Sequence, residues 1–153
     1  MGQSNQFLVF ILDEQRYALH LSTVETVVRA VEITALPKAP EIVLGVLNMQ
    51  GRIVPVVNVR QRFRLAEREI ALSDRFIIAR TSRRVVALVV DSVQGVIECA
   101  EHEVVAAEDI APQIEYVEGV VKSPEGLVFI HDLDAFLSLD EEKTLDEAIK
   151  DAG

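Results

Sequence analysis

A chain of 153 residues, half of them hydrophobic, is long enough to bury the core of a single domain, and its formal net charge of -10 excludes a general nucleic-acid binder, which needs a basic footprint. No apolar run approaches the roughly 20 residues of a membrane-spanning helix, and Met1-Gly2-Gln3-Ser4-Asn5-Gln6 matches neither a secretory nor a myristoylation signal, so membrane insertion and lipid anchoring are not expected. The one cysteine, Cys99, suits a reducing compartment, and the cytoplasm is the expected location.

The run 6–12 is short, apolar and β-prone, and Asp13-Glu14-Gln15 turns the chain into 17–21, which predicts a hairpin. Val24, Val27 and Val28 recur at helix-like spacing after Ser22 and Thr23, which predicts a short capped turn before extended structure resumes at Val31–Ile33. Pro37 and Pro40 bracket a loop. The run 42–48 follows, then a break at Met49-Gln50-Gly51, then 52–58, where Pro55 predicts an edge strand or a bulge. That makes five strand candidates in the first half.

The second half repeats this order. At a constant separation of 69 residues Phe7 falls on Phe76, Leu19 on Leu88, Leu21 on Val90, Val24 on Val93, Val27 on Val96 and Val28 on Ile97. At a separation of 74, Gly45-Val46 falls on Gly119-Val120, Ile53-Val54 on Leu127-Val128 and Asn58-Val59 on Asp132-Leu133. Two valine-rich alternating segments resemble one another by chance more easily than two matched glycines do. A duplicated set of five short strands predicts a mainly β protein of two small pseudo-symmetric barrels with a groove at their seam. Ser138-Leu-Asp-Glu141 is a capping-box pattern, and Leu145, Ala148 and Ile149 share one helical face, so a short C-terminal helix is expected to pack back on the barrels.

Between Arg52 and Arg84 nine arginines face three acids (Glu67, Glu69, Asp74), a local +6 that leaves -16 elsewhere. Such a segment reads either as a solvated connector or as a patch that steers an acidic partner.

Catalytic groups are few. His131-Asp132 with Asp134 suggests a metal pair only superficially, because His20 and His102 are the sole other histidines; His131 reads as a strand-end residue and Asp132 as a turn cap. Asp91 more often organises a turn than acts as a base, Cys99 has no basic neighbour in sequence to activate it, and Gly45 and Gly51 lack the Lys-Ser or Lys-Thr of a phosphate loop. No enzyme, metal or cofactor is predicted.

The stretches 45–60 (Gly-Val-Leu-Asn-Met-Gln-Gly-Arg-Ile-Val-Pro-Val-Val-Asn-Val-Arg) and 85–96 (Val-Val-Ala-Leu-Val-Val-Asp-Ser-Val-Gln-Gly-Val) resemble the CheW-like chemotaxis coupling family, and Phe7-Leu-Val-Phe, Glu115–Val120 and Leu133-Asp134 extend the likeness over 6–138. The resemblance implies two intertwined five-stranded barrels of SH3-like topology forming one CheW-like domain, with subdomain 1 at about 17–72 plus swapped segments, subdomain 2 at about 73–138, short helices, and an acidic helix or tail over 139–153. It implies a signal-transduction adaptor joining chemoreceptor cytoplasmic tips to the regulatory domain of a histidine kinase. The positions matching the receptor-binding groove are Val24, Gly45, Gln50 and Gly119, although a tight backbone position explains the two glycines equally well. The kinase-facing surface is not assigned, since strand edges in either barrel suit a partner. Three positions depart from the family: Gln50 where Arg is usual, Asn58 where Asp is usual, and Thr26 where Glu is usual. All three remove charge, which points to altered partner choice, as in a pilus-linked pathway. A different class of function, a freestanding regulator holding a small molecule in the seam, stands beside the adaptor.

Overall fold

The computed structural model describes residues 4–106 and 116–152; Met1–Gln3, Glu115 and Gly153 lie outside them. The elements are β1 (Ser4–Leu12), β2 (Gln15–His20), β3 (Val24–Arg29), β4 (Val43–Met49), β5 (Arg52–Val57), α1 (Val59–Arg62), β6 (Arg75–Arg80), β7 (Val85–Val90), β8 (Ser92–Ala100), β9 (Val104–Ala106), β10 (Val117–Ser123), β11 (Gly126–His131) and α2 (Leu139–Ala152). Among the described residues three 3-10 turns join them, at Leu21–Thr23, Glu101–Glu103 and Leu133–Ala135.

The strands form a six-stranded sheet, β8-β1-β2-β11-β10-β9, and a five-stranded sheet, β3-β6-β7-β5-β4. Under the two separations β1, β2, β3, β4 and β5 correspond to β6, β7, β8, β10 and β11, and the two sheets then have the same strand order. The leading hairpin of each half is exchanged: β1 and β2 sit with β8–β11, and β6 and β7 sit with β3–β5. Parallel pairings, β11 with β2 and β5 with β7, close each exchange.

The duplication extends to irregularities. The ladder of β3 with β6 slips between Val24 and Thr26, and that of β1 with β8 slips opposite the equivalent pair, Val93 and Gly95. The hairpin β4–β5 slips between Val43 and Gly45, and β10–β11 between Val117 and Gly119. Each extra residue, Glu25, Gln94, Leu44 and Glu118, is a bulge that shifts the side-chain phase by one.

This phase shift corrects the expected turn at 24–28. The segment is strand, and the spacing of its valines comes from the bulge: Val24 and Val27 pack on the central core, whereas Val28 packs on another. Only the preceding Leu21–Thr23 makes the 3-10 turn, and Val31–Ile33 is not a strand; extended pairing resumes as a single bridge from Thr34 to Val46. Pro55 occupies an interior strand rather than an edge. Its partner Val46 gives both its N–H and its C=O to Thr34, so Pro55 faces no donor-demanding group on the β4 side, and the pairing with β7 starts at Val56.

Each sheet wraps its own small core. Phe7, Val9, Ala18, Cys99, Val121, Val128 and Ile130 fill one, and Phe76, Ile78, Ala87, Ala30, Leu47, Val54 and Val56 fill the other, matching residue for residue in that order. The alternate side chains of β1, Leu8, Phe10 and Leu12, enter a third core shared by both sheets. Burial on both faces explains why this strand reads as a continuous apolar run. Cys99 is the counterpart of Ala30 and is a small packing residue, its thiol pKa raised by burial and by Glu103.

The helix α2 begins as its sequence predicts. The Glu141 N–H donates to Ser138 Oγ (3.1 Å) and the Ser138 N–H to Glu141 Oε1 (2.8 Å), a reciprocal capping box. Leu145 and Ala148 are fully buried, and Leu145 and Ile149 pack on the shared core. Arg84 of the β6–β7 turn grips the helix through Glu142 (2.8 Å) and Asp146, with the Glu142 side chain 5% exposed. Arg84→Met strands that carboxylate and should cost about 3 kcal/mol, while adding Glu142→Met should recover most of it. Urea unfolding checks this; a double variant no more stable than the single one refutes it.

Candidate partner-binding surface

Val24 opens β3, half-buried, and Thr26 is exposed two residues on. Gln50 and Gly51 form the tip of the β4–β5 hairpin with φ of 54° and 84°; two positive values at the central positions make a primed turn, which twists with the strands. Asn48 Oδ1 accepts the Gly51 N–H at 3.1 Å and fixes the tip.

No charge joins Thr26 to Gln50, but one joins their elements. The bulge turns Glu25 outward, where Oε2 meets Arg52 Nη2 at 2.9 Å and Oε1 meets Arg80 Nη2 at 3.4 Å. The Arg52 hydrogen bond, first among the causes, holds the Glu25 carboxyl below its usual range. An exposed acid–base cluster therefore bridges the start of β3, the start of β5 and the end of β6. Sequence reasoning missed it, because an alternation argument cannot say which of Glu25 and Thr26 a bulge presents.

The two glycines lie on equivalent strands of different sheets, Gly45 on β4 and Gly119 on β10, each buried beside its bulge. A Cβ on Gly45 would stand 2.6 Å from the Thr34 carbonyl oxygen and 3.1 Å from Ile33 Cδ1. On Gly119 it would stand 2.7 Å from Val104 Cγ1 and 3.1 Å from the Val105 oxygen. Both are sites where the crossing chain leaves no room for a side chain. Asn58 is also used within the fold, where it caps α1: its side chain accepts the Gln61 N–H at 3.2 Å, as Asp132 caps the equivalent turn by accepting the Asp134 N–H. Either residue serves as a cap.

Part of the arginine-rich segment is used inside the fold, while Arg64 and Arg83 stay exposed. Arg60, 8% exposed, donates to Asp13 (2.6 Å) and Asp91 (2.9 Å); Arg68 reaches Asp74 and Asp91, and Arg62 reaches Glu141 (2.7 Å). These arginines find their acids within the fold, tying the β1–β2 turn, the β7–β8 junction and α2 together. Burial works to raise the Asp91 pKa, but Arg60, the Asp13 N–H and Arg68 outweigh it and hold the group below the usual carboxylate range.

His131 ends β11 as expected and is 1% exposed. It lies among Phe63, Tyr17, Phe136 and Phe10 at ring distances of 4.0, 4.9, 5.4 and 5.8 Å. Neither ring nitrogen has a hydrogen-bond partner among the described residues, and burial pushes its pKa down to about 3. Among the described residues no group of three or more His, Cys, Asp or Glu side chains is placed to hold a metal ion, and no helix is long and apolar enough to cross a membrane.

Comparison with known proteins agrees with this architecture. The chemotaxis protein CheW of Thermotoga maritima is 31% identical over 144 residues, covering 94% of this chain and 93% of the relative. That of Bacillus subtilis is 29% identical over 134 residues, covering 86% of each. The crystal structure of the scaffolding protein TtCheW from Thermoanaerobacter tengcongensis superimposes with a TM-score of 0.81 at 29% identity, over 92% of this chain and 96% of that one. The family model described as the CheW-like domain matches residues 6–141, and the chain belongs to that family.

Proposed function

We propose that this protein is a non-catalytic cytoplasmic coupling adaptor that binds chemoreceptor cytoplasmic tips and the regulatory domain of a histidine kinase. The observation that carries the reading is the near end-to-end match to the CheW-like domain, on a fold in which Arg60, Arg62 and Arg84 are spent joining its own elements. The working unit is residues 6–138, two subdomains that exchange their leading hairpins, with 139–153 as a docked helical tail. The receptor-facing surface runs from Val24 and Thr26 to Gln50. Its charge is supplied by Glu25, Arg52 and Arg80, so a neutral Thr26 and Gln50 do not leave it uncharged. Gly45 and Gly119 shape the strands beneath it.

The test is binding of a receptor cytoplasmic fragment and of a kinase regulatory domain from the same genome. Arg52→Glu, which turns an exposed pair into a repulsion without touching the core, should weaken receptor binding by roughly tenfold and leave kinase binding unchanged. Binding to neither partner would remove the adaptor reading; binding to both with no effect of Arg52→Glu would move the receptor surface elsewhere.

A further inference from the structure

The internal duplication allows each site to be compared with its own twin, and at one pair of twins the chemistry is inverted. On one side Arg60 reaches Asp13 of the β1–β2 turn and Asp91 of the β7–β8 junction. At the corresponding positions on the other side stand Asp134, Ser82 and Ser22. The same two positions still touch: Asp134 Oδ1 accepts the Ser82 N–H at 2.7 Å, where Arg60 meets the Asp13 side chain in the twin. What differs is the filling. Around Arg60 the free volume is about 20 Å3, walled in part by Leu44, Asn58, Arg60 and Val89. Around Asp134 it is a cavity of about 400 Å3, and Glu118, Asp132, Asp134 and His20 are the equivalents of those four wall residues. A long guanidinium side chain occupies the first site, and a short carboxylate leaves the second open.

The open site is suited to a cation. Three carboxylates line it, Glu118, Asp132 and Asp134, with the Ser22 and Ser82 side chains in place of the twin's carboxylates. Glu118 is paired with His20, but Asp132 and Asp134 make no ion pair among the described residues, and their second carboxylate oxygens accept no hydrogen bond there. Arg80 is the one guanidinium on the wall, and it is engaged by Glu25. The volume lies at the small end of ligand-binding cavities, more than a water cluster needs and enough for one flexible side chain. Planar, forked guanidinium donors match carboxylate oxygens better than an ammonium does.

We propose that this cavity receives the guanidinium group of an arginine side chain presented by a partner protein, held by carboxylates on the wall opposite to those that hold Arg60 in the twin. The inference goes beyond the coupling role and holds whichever partner supplies the arginine.

The test is amide NMR of the full chain titrated with N-acetyl-arginine amide, with free arginine, and with N-acetyl-citrulline amide, which has the same shape without the charge. The arginine amide should shift the Ser22, Ser82 and Asp134 amides saturably, and the citrulline amide should not. Asp134→Asn, an exposed isosteric change, should weaken binding about tenfold. A second variant, Asp134→Arg with Ser22→Asp and Ser82→Asp, rebuilds the twin and should abolish binding by filling the site from within. No saturable shift, equal binding of citrulline, or an Asp134→Asn variant that binds normally overturns the proposal. Binding of free arginine alone overturns it too, in favour of a site for the free amino acid.

Discussion

Gly45→Asp should unfold or nearly unfold the protein before it tests any partner. Its Cβ would press on the Thr34 carbonyl oxygen at 2.6 Å, a backbone atom that accepts the Val46 N–H at 2.8 Å, and its carboxylate would be buried beside that oxygen. Overpacking and burial of an unpaired charge together should cost about 4 kcal/mol or more. For a domain of this size that is a fall in melting temperature of about 10 °C or more. Gly45→Ala should cost about half as much, with faster amide exchange at Thr34 and Val46 as the local sign. Gly119→Ala should be milder, because the nearest atom is a methyl of Val104 rather than backbone. Thermal melts decide it: a Gly45→Asp variant that melts with the parent protein would show that the Thr34 crossing is not what demands glycine. Loss of receptor binding in such a variant is informative only beside that melt.

His131→Phe should stabilise the protein and flatten its response to acid. The buried imidazole has two polar atoms without partners among the described residues, which at neutral pH costs about 1–2 kcal/mol relative to a ring that fits the same aromatic surroundings. Its folded pKa of about 3 lies below the ordinary 6.5. Below 6.5 the unfolded chain therefore takes up a proton that the folded chain refuses, and stability falls as pH drops, by about 1.4 kcal/mol per unit, until the folded pKa is reached. Glu141 and Asp91 act lower on the scale. Burial raises both, but the Ser138 N–H and Arg62 in one case, and Arg60 in the other, hold them below the usual carboxylate range; the stability they confer is lost only as pH falls through those depressed values. Urea unfolding between pH 7 and pH 5 should show a steeper loss for the parent protein than for His131→Phe. Parallel curves would mean that His131 is solvated or partnered in solution.

The fold was legible where the chain repeats itself. Residues matched at separations of 69 and 74 turned out to be structural equivalents, down to the seven-residue cores and the bulges, because a packed core position tolerates few sizes and duplicated geometry keeps demanding them. The capping box at Ser138, the turn cap at Asp132 and the buried face of α2 were equally legible, since each depends on neighbours within a few residues.

Other features had no local signal. Pro55 signified an edge by its missing donor, yet Thr34, distant in sequence, takes up the hydrogen bonds of Val46 and makes an interior place acceptable. The valines of 24–28 carried a helical period because a bulge broke the alternation of a strand. Arg60, Arg62 and Arg84 looked like members of one surface stretch, but their partners, Asp13, Asp91, Glu141 and Glu142, come from all over the chain.

By itself, then, the sequence determined a duplicated, mainly β domain with a capped terminal helix and its family, because strand burial, turns and caps are written in short-range patterns. Only the tertiary structure decided which strands the exchanged hairpins join, that Glu25 meets Arg52 and Arg80, and that one twin is filled by Arg60 while the other stands open at Asp134. Those outcomes depend on which distant residues meet, and neither composition nor periodicity encodes a meeting.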